Sequence, residues 1–490
     1  MASVPDFHFS AHDEFLNRVD DLAHLERWWD GDGHDPVAIL GRRRVGKSWL
    51  FREFAHGKPA VVLVAERLVQ ATQLQRFERV LSPVLGIRPS IESVPALLET
   101  LLHVADERRT LVVIDEFPYL LPDGAERDVV LSQIQAVLEE RDASRLKLVL
   151  CGSYVSQMEG LLRGPLRGRL TPLRVAPLGF ADAQPFFAPG IGPRERIERY
   201  AVSGGMSAYL RSLGAAGSLE KLVCRDVLSP RAALFNDPRE VLDEELRRQA
   251  TTYYTVLDVL SEGRRLTIGE IASRLGRKST DLPRYLERLE AMGLVERLQP
   301  VNAKPGGRAG RYRLGDPFMR FWFRFVAPHQ EALRSGLPAE ALWATEIEPA
   351  LADHCAPMFE QLCRRWALQG HAGPASRVGS WWGNALNAHR STGVRTSEEI
   401  DVVGLAGNRA QLVGECKWTA RPLPYEVLRD LEQYKIPALA QDGVRLATDL
   451  RIVLFAKSGF DPRLVDEAAS RDDLTLVPAD DLVADIVAGS

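Results

Sequence analysis

The sequence predicts an α/β chain in which a parallel-sheet domain (residues 1–180) with a helical lid (181–243) is followed by a three-helix-and-hairpin middle domain (244–326) and a second α/β domain (327–490). Three observations predict this order. A short apolar run, Val37 to Leu40, leads into a loop with two glycines and then into a helical pattern that starts near Lys47. Between Glu244 and Leu314 apolar residues recur at helical spacing in three short segments, after which the pattern turns to β. Near the carboxyl terminus EIDVVGL and AQLVGECKW alternate as two paired strands do. A chain of 490 residues is also too long for one core.

Composition bounds the class. Hydrophobic residues at 45% and charged residues at 26% are those of an ordinary folded protein. No apolar run approaches the roughly 18 to 20 residues that span a bilayer, and MASVPDFHFSAHDEF lacks a basic-then-apolar leader pattern, so a cytoplasmic location without a membrane partner is expected. Cys151, Cys224, Cys355, Cys363 and Cys416 are odd in number and show no C-x-x-C spacing, which points to reduced, mostly buried thiols. His354 and His371 flank two of them without zinc-ligand spacing. The net charge of −4 argues against a generally basic nucleic-acid binder, but from Ile271 to Arg313 ten Lys and Arg stand against four Asp and Glu, a local excess of +6.

The first domain carries the clearest chemistry. GRRRVGKS fits G-x-x-x-x-G-K-[ST] at every fixed position, between an apolar strand and a helix, which is the order of a P-loop. Gly41 and Gly46 permit the turn that aims backbone N–H groups at phosphates, with Arg44, Val45 and Trp49 completing the contact with the nucleotide. Lys47 would reach the β and γ oxygens and Ser48 would ligand Mg²⁺. ATP is the expected nucleotide, because no N-K-x-D guanine-reading motif follows, and no other small-molecule substrate is indicated.

TLVVIDEF brings Asp115 and Glu116 to the end of an apolar strand, the form of a Walker B strand. Asp115 would hold Mg²⁺ and Glu116 would polarise the attacking water as general base; an acidic helix cap is the alternative reading. LKLVLCGS ends in Ser153, which serves either as a γ-phosphate sensor or as a turn-forming serine. Among Arg163, Arg167, Arg169 and Arg174, Arg169 is the candidate for an arginine finger, acting within the subunit or on a neighbour's nucleotide in a homo-oligomer; solvated surface charge is the alternative.

FLNRVDDLAHLERW, GRRRVGKS, VVIDEF, LCGSYVSQME and SGGMSAYL in this order resemble the archaeal-type ATPases of the P-loop superfamily, near AAA+ and STAND proteins. The resemblance implies a P-loop NTPase sheet with a helical lid, Arg18 near the adenine, and Gly204 with Gly205 opening the lid turn. Asn17 stands where a glycine is usual before that arginine, and GGMSAYL lacks the usual proline.

In the middle domain YYTVLDVLSEG, LTIGEIASRLG and STDLPRYLERLEAMG followed by LVERLQPV describe a winged helix. In its DNA-binding form the third helix would present Ser279, Thr280, Arg284 and Arg288 to the major groove, and the wing would set Lys304, Arg308 and Arg311 on phosphates; packing between larger domains is the other common use. The aromatic stretch RLGDPFMRFWFRFV is expected to pack rather than to stack on bases.

In the last domain Glu415 and Lys417, two apart, share a strand face that Asp401 on the neighbouring strand can join. Two carboxylates with a lysine suit metal-assisted attack on a phosphodiester, and the trio matches the D…ExK core of the PD-(D/E)xK nucleases, with Glu360 as the helix-borne acid. FEQLC, Trp381 with Trp382, EIDVV, GECKW and LFAKSGF resemble the domain of unknown function that accompanies archaeal-type ATPases, which implies a restriction-endonuclease-like fold and Mg²⁺ or Mn²⁺ at Glu360, Asp401 and Glu415. The whole reads as an ATPase that binds DNA through a winged helix and carries a metal-dependent nuclease-like domain. The alternatives are a nucleotide-driven assembly switch with an inert platform and a transcription regulator.

Overall fold

A computed structural model describes residues 4–9, 15–33, 35–105, 108–139, 145–246, 250–261, 265–304, 310–387 and 395–489. The chain divides into two compact units, one of residues 1–178, 206–208 and 243–247, the other of residues 179–205, 209–242 and 248–490. The expected lid thus falls mostly in the second unit, while its residues 206–208 and 243 belong to the first.

The first unit is built on five parallel strands, β1 (Val37–Leu40), β2 (Ala60–Val64), β3 (Thr110–Asp115), β4 (Leu146–Gly152) and β5 (Thr171–Arg174), in the order β2-β3-β4-β1-β5. Every residue of β1, β3 and β4 is buried, as expected of central parallel strands covered on both faces. Ala38, Leu40, Val112, Ile114, Leu148 and Leu150 send their side chains into one core with Leu97, Leu101 and Ile134 from the flanking helices. Because the strands are parallel, the chain ends of β1, β3 and β4 emerge at one edge of the sheet, the side on which such sheets bind ligands.

In the second unit three helices, Ala250–Ser261, Ile268–Leu275 and Pro283–Ala291, precede an antiparallel pair, β6 (Val295–Leu298) and β7 (Arg311–Leu314), with Leu266 bridged to Tyr312. The second helix starts at a capping box between Thr267 and Glu270, and the third has Pro283 in its first turn. Phe318, Met319, Phe321, Trp322 and Phe323 are all buried, as the aromatic stretch predicts.

Besides further helices, this unit contains a long helix, Glu348–Leu368, and a mixed sheet, β8 (Arg377–Asn384), β9 (Ser397–Ala406), β10 (Arg409–Lys417), β11 (Arg445–Ala456) and β12 (Leu474–Pro478), joined in the order β12-β11-β10-β9-β8. β8, β9 and β10 form an antiparallel meander, and β11 and β12 add in parallel through helical connections. The hairpin expected around Asp401, Glu415 and Lys417 is β9–β10. Among the described residues no helix is long and apolar enough to cross a membrane.

Candidate functional site

The loop after β1 is shaped by close backbone approach. A Cβ on Gly41 would lie 2.5 Å from the Val175 carbonyl oxygen, and Gly46 has φ 104°, so both positions require glycine. Arg44 also sits in the left-handed region, at φ 68°. The Val45 carbonyl accepts two hydrogen bonds, from Arg18 Nη2 at 2.6 Å and from Ser207 Oγ at 2.9 Å. Trp49 lies edge-on to Phe9, with ring centroids 5.4 Å apart.

Arg18 is held by the protein itself. Its guanidinium is 7% exposed and is engaged by protein carbonyls, through Nη2 to Val45 and through Nη1 to Ala176 at 2.7 Å, with Asp21 at 3.2 Å. It braces the phosphate loop through these bonds. Asn17 and Arg18 both have positive φ, 62° and 75°. Asparagine tolerates the left-handed region better than most residues, and its Oδ1 accepts from the Arg18 N–H at 2.7 Å, which accounts for Asn17 where glycine is usual.

At the sheet edge the predicted nucleotide residues converge. Lys47, 4% exposed, donates to the carbonyls of Gly41 (2.7 Å) and Arg42 (3.0 Å) and to Ser153 Oγ (3.0 Å). Burial pushes its ammonium below the usual lysine range, opposed by neighbouring Cys151, Glu116 and Asp115. Ser48 Oγ lies 3.2 Å from Asp115 Oδ2. Glu116, at φ 53°, accepts from the Ser153 N–H at 3.0 Å and from its hydroxyl. Lys47, Ser153 and Glu116 therefore form one hydrogen-bonded chain. A hydroxyl and a carboxylate facing each other suit a hard, octahedral cation whose remaining ligands are phosphate oxygens and water, so this donor set fits Mg²⁺.

Two groups escaped the motif reading because they come from far along the chain. Glu245 accepts from the Val155 N–H at 3.1 Å, and its charge is felt at Lys47. Glu244 pairs with Arg43 of the phosphate loop at 2.9 Å. Arg169 fails as an arginine finger within its own subunit. It precedes β5, whose first residue pairs with the first residue of β1, and it pairs with Glu139 at 2.7 Å, so it lies at the sheet edge opposite the phosphate loop. Arg163 and Arg174 both pair with Glu159, and Arg167 is exposed.

The second unit brings Asp401, Glu415 and Lys417 together. Lys417 Nζ is 3.0 Å from Glu415 and 3.4 Å from Asp401, and the Cys416 N–H donates to Asp401 at 3.0 Å. Lys435 takes the other Glu415 oxygen at 2.8 Å. Glu415 is 1% exposed; burial, with Asp401 nearby, raises its pKa to about 7. Burial works against the charge on Lys417, but Glu415 and Asp401 outweigh it and hold the ammonium above its usual range.

The expected metal set does not form. Glu360 is held by Arg265, at 2.5 Å, and by Arg364, at 3.4 Å, instead of joining the other two carboxylates. Among the described residues no group of three His, Cys, Asp or Glu is placed to hold a metal ion. Both oxygens of Glu415 already meet ammonium groups, so the residues present do not fit Mg²⁺ or Mn²⁺ as arranged.

In the middle segment Ser279, Thr280 and Lys304 are exposed. Arg284, also exposed, stacks on Tyr285 and donates to its hydroxyl at 2.7 Å. Arg288 is half-buried over Tyr253, and Arg311 packs over Trp382, so neither extends into solvent as expected. Arg308 lies outside the described residues.

Residues 15–213 match the model of an ATPase domain predominantly from Archaea, and residues 322–432 match a family of archaeal and bacterial proteins of unknown function. An uncharacterized protein of Methanocaldococcus jannaschii is 28% identical over 422 residues, covering 82% of this chain and 87% of its own length. An uncharacterized ATP-binding protein of the same organism is 41% identical over 44 residues, 9% of this chain and 75% of that protein. Among solved structures, a Walker-type ATPase of Pyrococcus abyssi aligns at 19% identity over 66% of this chain and 98% of its own, with a TM-score of 0.47. The phosphate loop and the Asp115–Ser48 pair both lie within residues 15–213, the stretch that matches the ATPase domain predominantly from Archaea.

Proposed function

We propose that the chain is an ATP-driven switch whose nucleotide state controls DNA binding by residues 250–314, with the carboxyl-terminal domain as a platform rather than a metal-dependent nuclease. The observation that carries the ATPase part is the Lys47–Ser153–Glu116 chain beside the Ser48–Asp115 pair. Backbone N–H groups of the loop and the ammonium of Lys47 receive the phosphates. Ser48 and Asp115 would hold Mg²⁺, which would supply positive charge against the phosphates. Glu116 accepts a proton from the attacking water, and Ser153 orients that carboxylate through its N–H and hydroxyl. A γ-phosphate that draws Lys47 away from Ser153 also disturbs the grip on Glu116, which links occupancy to the catalytic base.

Support for DNA contact comes from the three helices, the β6–β7 pair and exposed Ser279, Thr280, Arg284 and Lys304 on a segment with a local charge excess. The platform reading rests on the ion pairs that occupy Glu360 and Glu415. One experiment separates it from the nuclease reading: plasmid and linear DNA incubated with Mg²⁺ or Mn²⁺, with and without ATP, using wild type, Lys417→Ala and Lys47→Ala. The switch predicts ATP-dependent gel shifts that Lys47→Ala abolishes, and intact DNA throughout. Cleavage that disappears in Lys417→Ala would overturn the platform reading, and shifts indifferent to Lys47→Ala would overturn the switch.

A further inference from the structure

Arg42, Arg43 and Arg44 follow Gly41 in the phosphate loop, at positions that the motif leaves open. Arg42 is buried and Arg44 half-buried, whereas Arg43 is exposed, and its Nη1 meets Glu244 Oε2 at 2.9 Å. The other oxygen of that carboxylate, Oε1, lies 3.7 Å from Arg67 Nη2. One carboxylate is thus shared by two guanidinium groups, one from the phosphate loop and one from the segment after β2. The two are not equivalent. Arg67 donates from Nε to the Tyr119 hydroxyl at 3.2 Å and lies over the rings of Tyr119 and Tyr154, whose hydroxyls are 3.0 Å apart. Arg43 and Glu244 are 42% and 30% exposed, and an ion pair that open to water is held weakly. Glu245, next along the helix Asp237–Leu246, accepts from the Val155 N–H at 3.1 Å, and its charge acts on Lys47. Two carboxylates of the ATPase unit therefore stand beside the phosphate loop. A triphosphate held at Lys47 repels them and draws Arg43.

We propose that Arg43 is the residue that stabilises the terminal phosphate of ATP during hydrolysis, and that Glu244 holds it in reserve until ATP binds. This rests on the ATPase reading of the same site. In hydrolysis water adds to the terminal phosphorus, the bond to the bridging oxygen breaks, Glu116 takes the proton of the water, and ADP and phosphate leave. Negative charge builds on the bridging and terminal oxygens meanwhile, and a guanidinium beside them lowers the barrier. Arg43 supplies that guanidinium from the phosphate loop itself, a role in which Arg169 fails within its own subunit. Its departure does not strand Glu244, because Arg67 already stands 3.7 Å away and takes over the carboxylate. One ion pair replaces another, so the exchange costs little and the arriving phosphate drives it. ADP lacks the terminal phosphate and leaves Arg43 on Glu244, which lets the loop tell ATP from ADP.

The test uses the full chain carrying Arg43→Met, Glu244→Gln or both. It measures kcat and KM for ATP by phosphate release, and affinities for ADP and for adenylyl imidodiphosphate, a non-hydrolysable ATP analogue, by calorimetry. Arg43→Met is expected to lower kcat about 10³-fold, the lower end for an arginine finger, with the affinity for ADP within about two-fold of wild type. Glu244→Gln moves binding the other way: with the competitor removed, the ATP analogue binds up to about five-fold more tightly while ADP does not. Added to Arg43→Met, the glutamine brings no such gain, because the arginine it would release is gone. Melting curves without nucleotide that match wild type show that the fold survives, and the Glu244→Gln titrations stand even if Arg43→Met fails to fold. A pair that merely ties the helix end to the loop predicts that both single variants weaken nucleotide binding alike, and that result overturns the proposal. Arg43→Met with the kcat of wild type also overturns it and leaves the ATPase reading intact, whereas a wild type that does not turn over ATP overturns both.

Discussion

Replacing Arg18 by methionine keeps most of the buried stem and removes the guanidinium that bonds the Val45 and Ala176 carbonyls. A hydrogen bond from a charged donor contributes about 1.5–3 kcal/mol net, and leaving a buried carbonyl unmatched costs about 1–3 kcal/mol. Ser207 still serves Val45 at 2.9 Å, so the loss falls mainly on the Ala176 bond and on half of the Val45 pair. We take about 2–3 kcal/mol as the bias lost from the binding-competent loop. If that bias is what keeps the loop competent, apparent ATP affinity falls by the same factor, at most about 30- to 150-fold. Ser207→Ala removes the neutral bond to the same carbonyl and is expected to cost about 1 kcal/mol, or about five-fold.

The assay is titration with a fluorescent ATP analogue, together with steady-state hydrolysis at saturating ATP. Arg18→Met must weaken binding more than Ser207→Ala, because one donor is charged and spans two carbonyls while the other is neutral and serves one. The double variant must depart from additivity, since both donors share the Val45 oxygen. At saturation kcat changes little, because neither side chain touches Glu116 or Ser153. An Arg18→Met chain that binds ATP within two-fold of wild type would refute the brace. So would a collapse of kcat with unchanged affinity, which would place Arg18 in the chemistry.

Glu116→Gln removes the proposed base and is expected to lower kcat about 10²- to 10⁴-fold with ATP binding retained; equal losses in both would show a structural role. Ser153→Ala deletes the hydroxyl between Lys47 and Glu116, and a drop in kcat of about ten-fold, measured by phosphate release, corresponds to one charge-assisted hydrogen bond. Gly41→Ala forces a Cβ to within 2.5 Å of the Val175 carbonyl oxygen, so the ATPase unit loses about 1–3 kcal/mol and nucleotide binding, readable in a melting curve with and without ATP. Burial, reinforced by Arg320 and Arg324, holds His354 neutral well below the ordinary histidine range, and its Nε2 meets the Ala201 carbonyl at 2.9 Å. The unfolded chain therefore takes up a proton that the folded one refuses, and stability falls as pH drops below about 6.5, by up to about 1.4 kcal/mol per unit. In His354→Gln that part of the slope disappears from denaturant titrations compared across this range, and an unchanged slope would exclude His354 as its source.

Which residues a sequence reveals depends on how far their partners lie along the chain. Gly41, Lys47 and Ser48 are legible because phosphate binding needs consecutive backbone positions, and Asp115 and Ser153 are legible because parallel strands deliver their ends to one edge. Arg18 is different. Its partners are 27 and 158 residues away, and the left-handed pair Asn17–Arg18 that aims it follows from no periodicity. Ser207 and Glu244 are equally remote from the loop they touch, and Glu245 from the Val155 N–H that it accepts. Arg169 shows the converse error: it lies close in sequence to a strand of the site sheet, but two residues before that strand begins, which puts it at the wrong edge.

The hairpin of the last domain makes the same point in electrostatic terms. Alternation fixes which side chains share a face, so Glu415 and Lys417 meet as read, and the pairing of β9 with β10 brings in Asp401. Alternation says nothing about the charges that arrive from elsewhere. Lys435 comes from the following helix, and Arg265, which takes Glu360, comes from the segment before the second helix of the middle domain. A buried carboxylate such as Glu415 must find a cation, and whether that cation is a metal ion or a lysine is decided by residues that no local pattern joins to it. Substituting Lys435 by methionine tests which alternative the fold depends on. If the ammonium is the needed counter-ion, the variant melts lower and Mg²⁺ or Mn²⁺ does not restore it; recovery of the melting temperature by either metal would mean that the lysine occupies a metal's place.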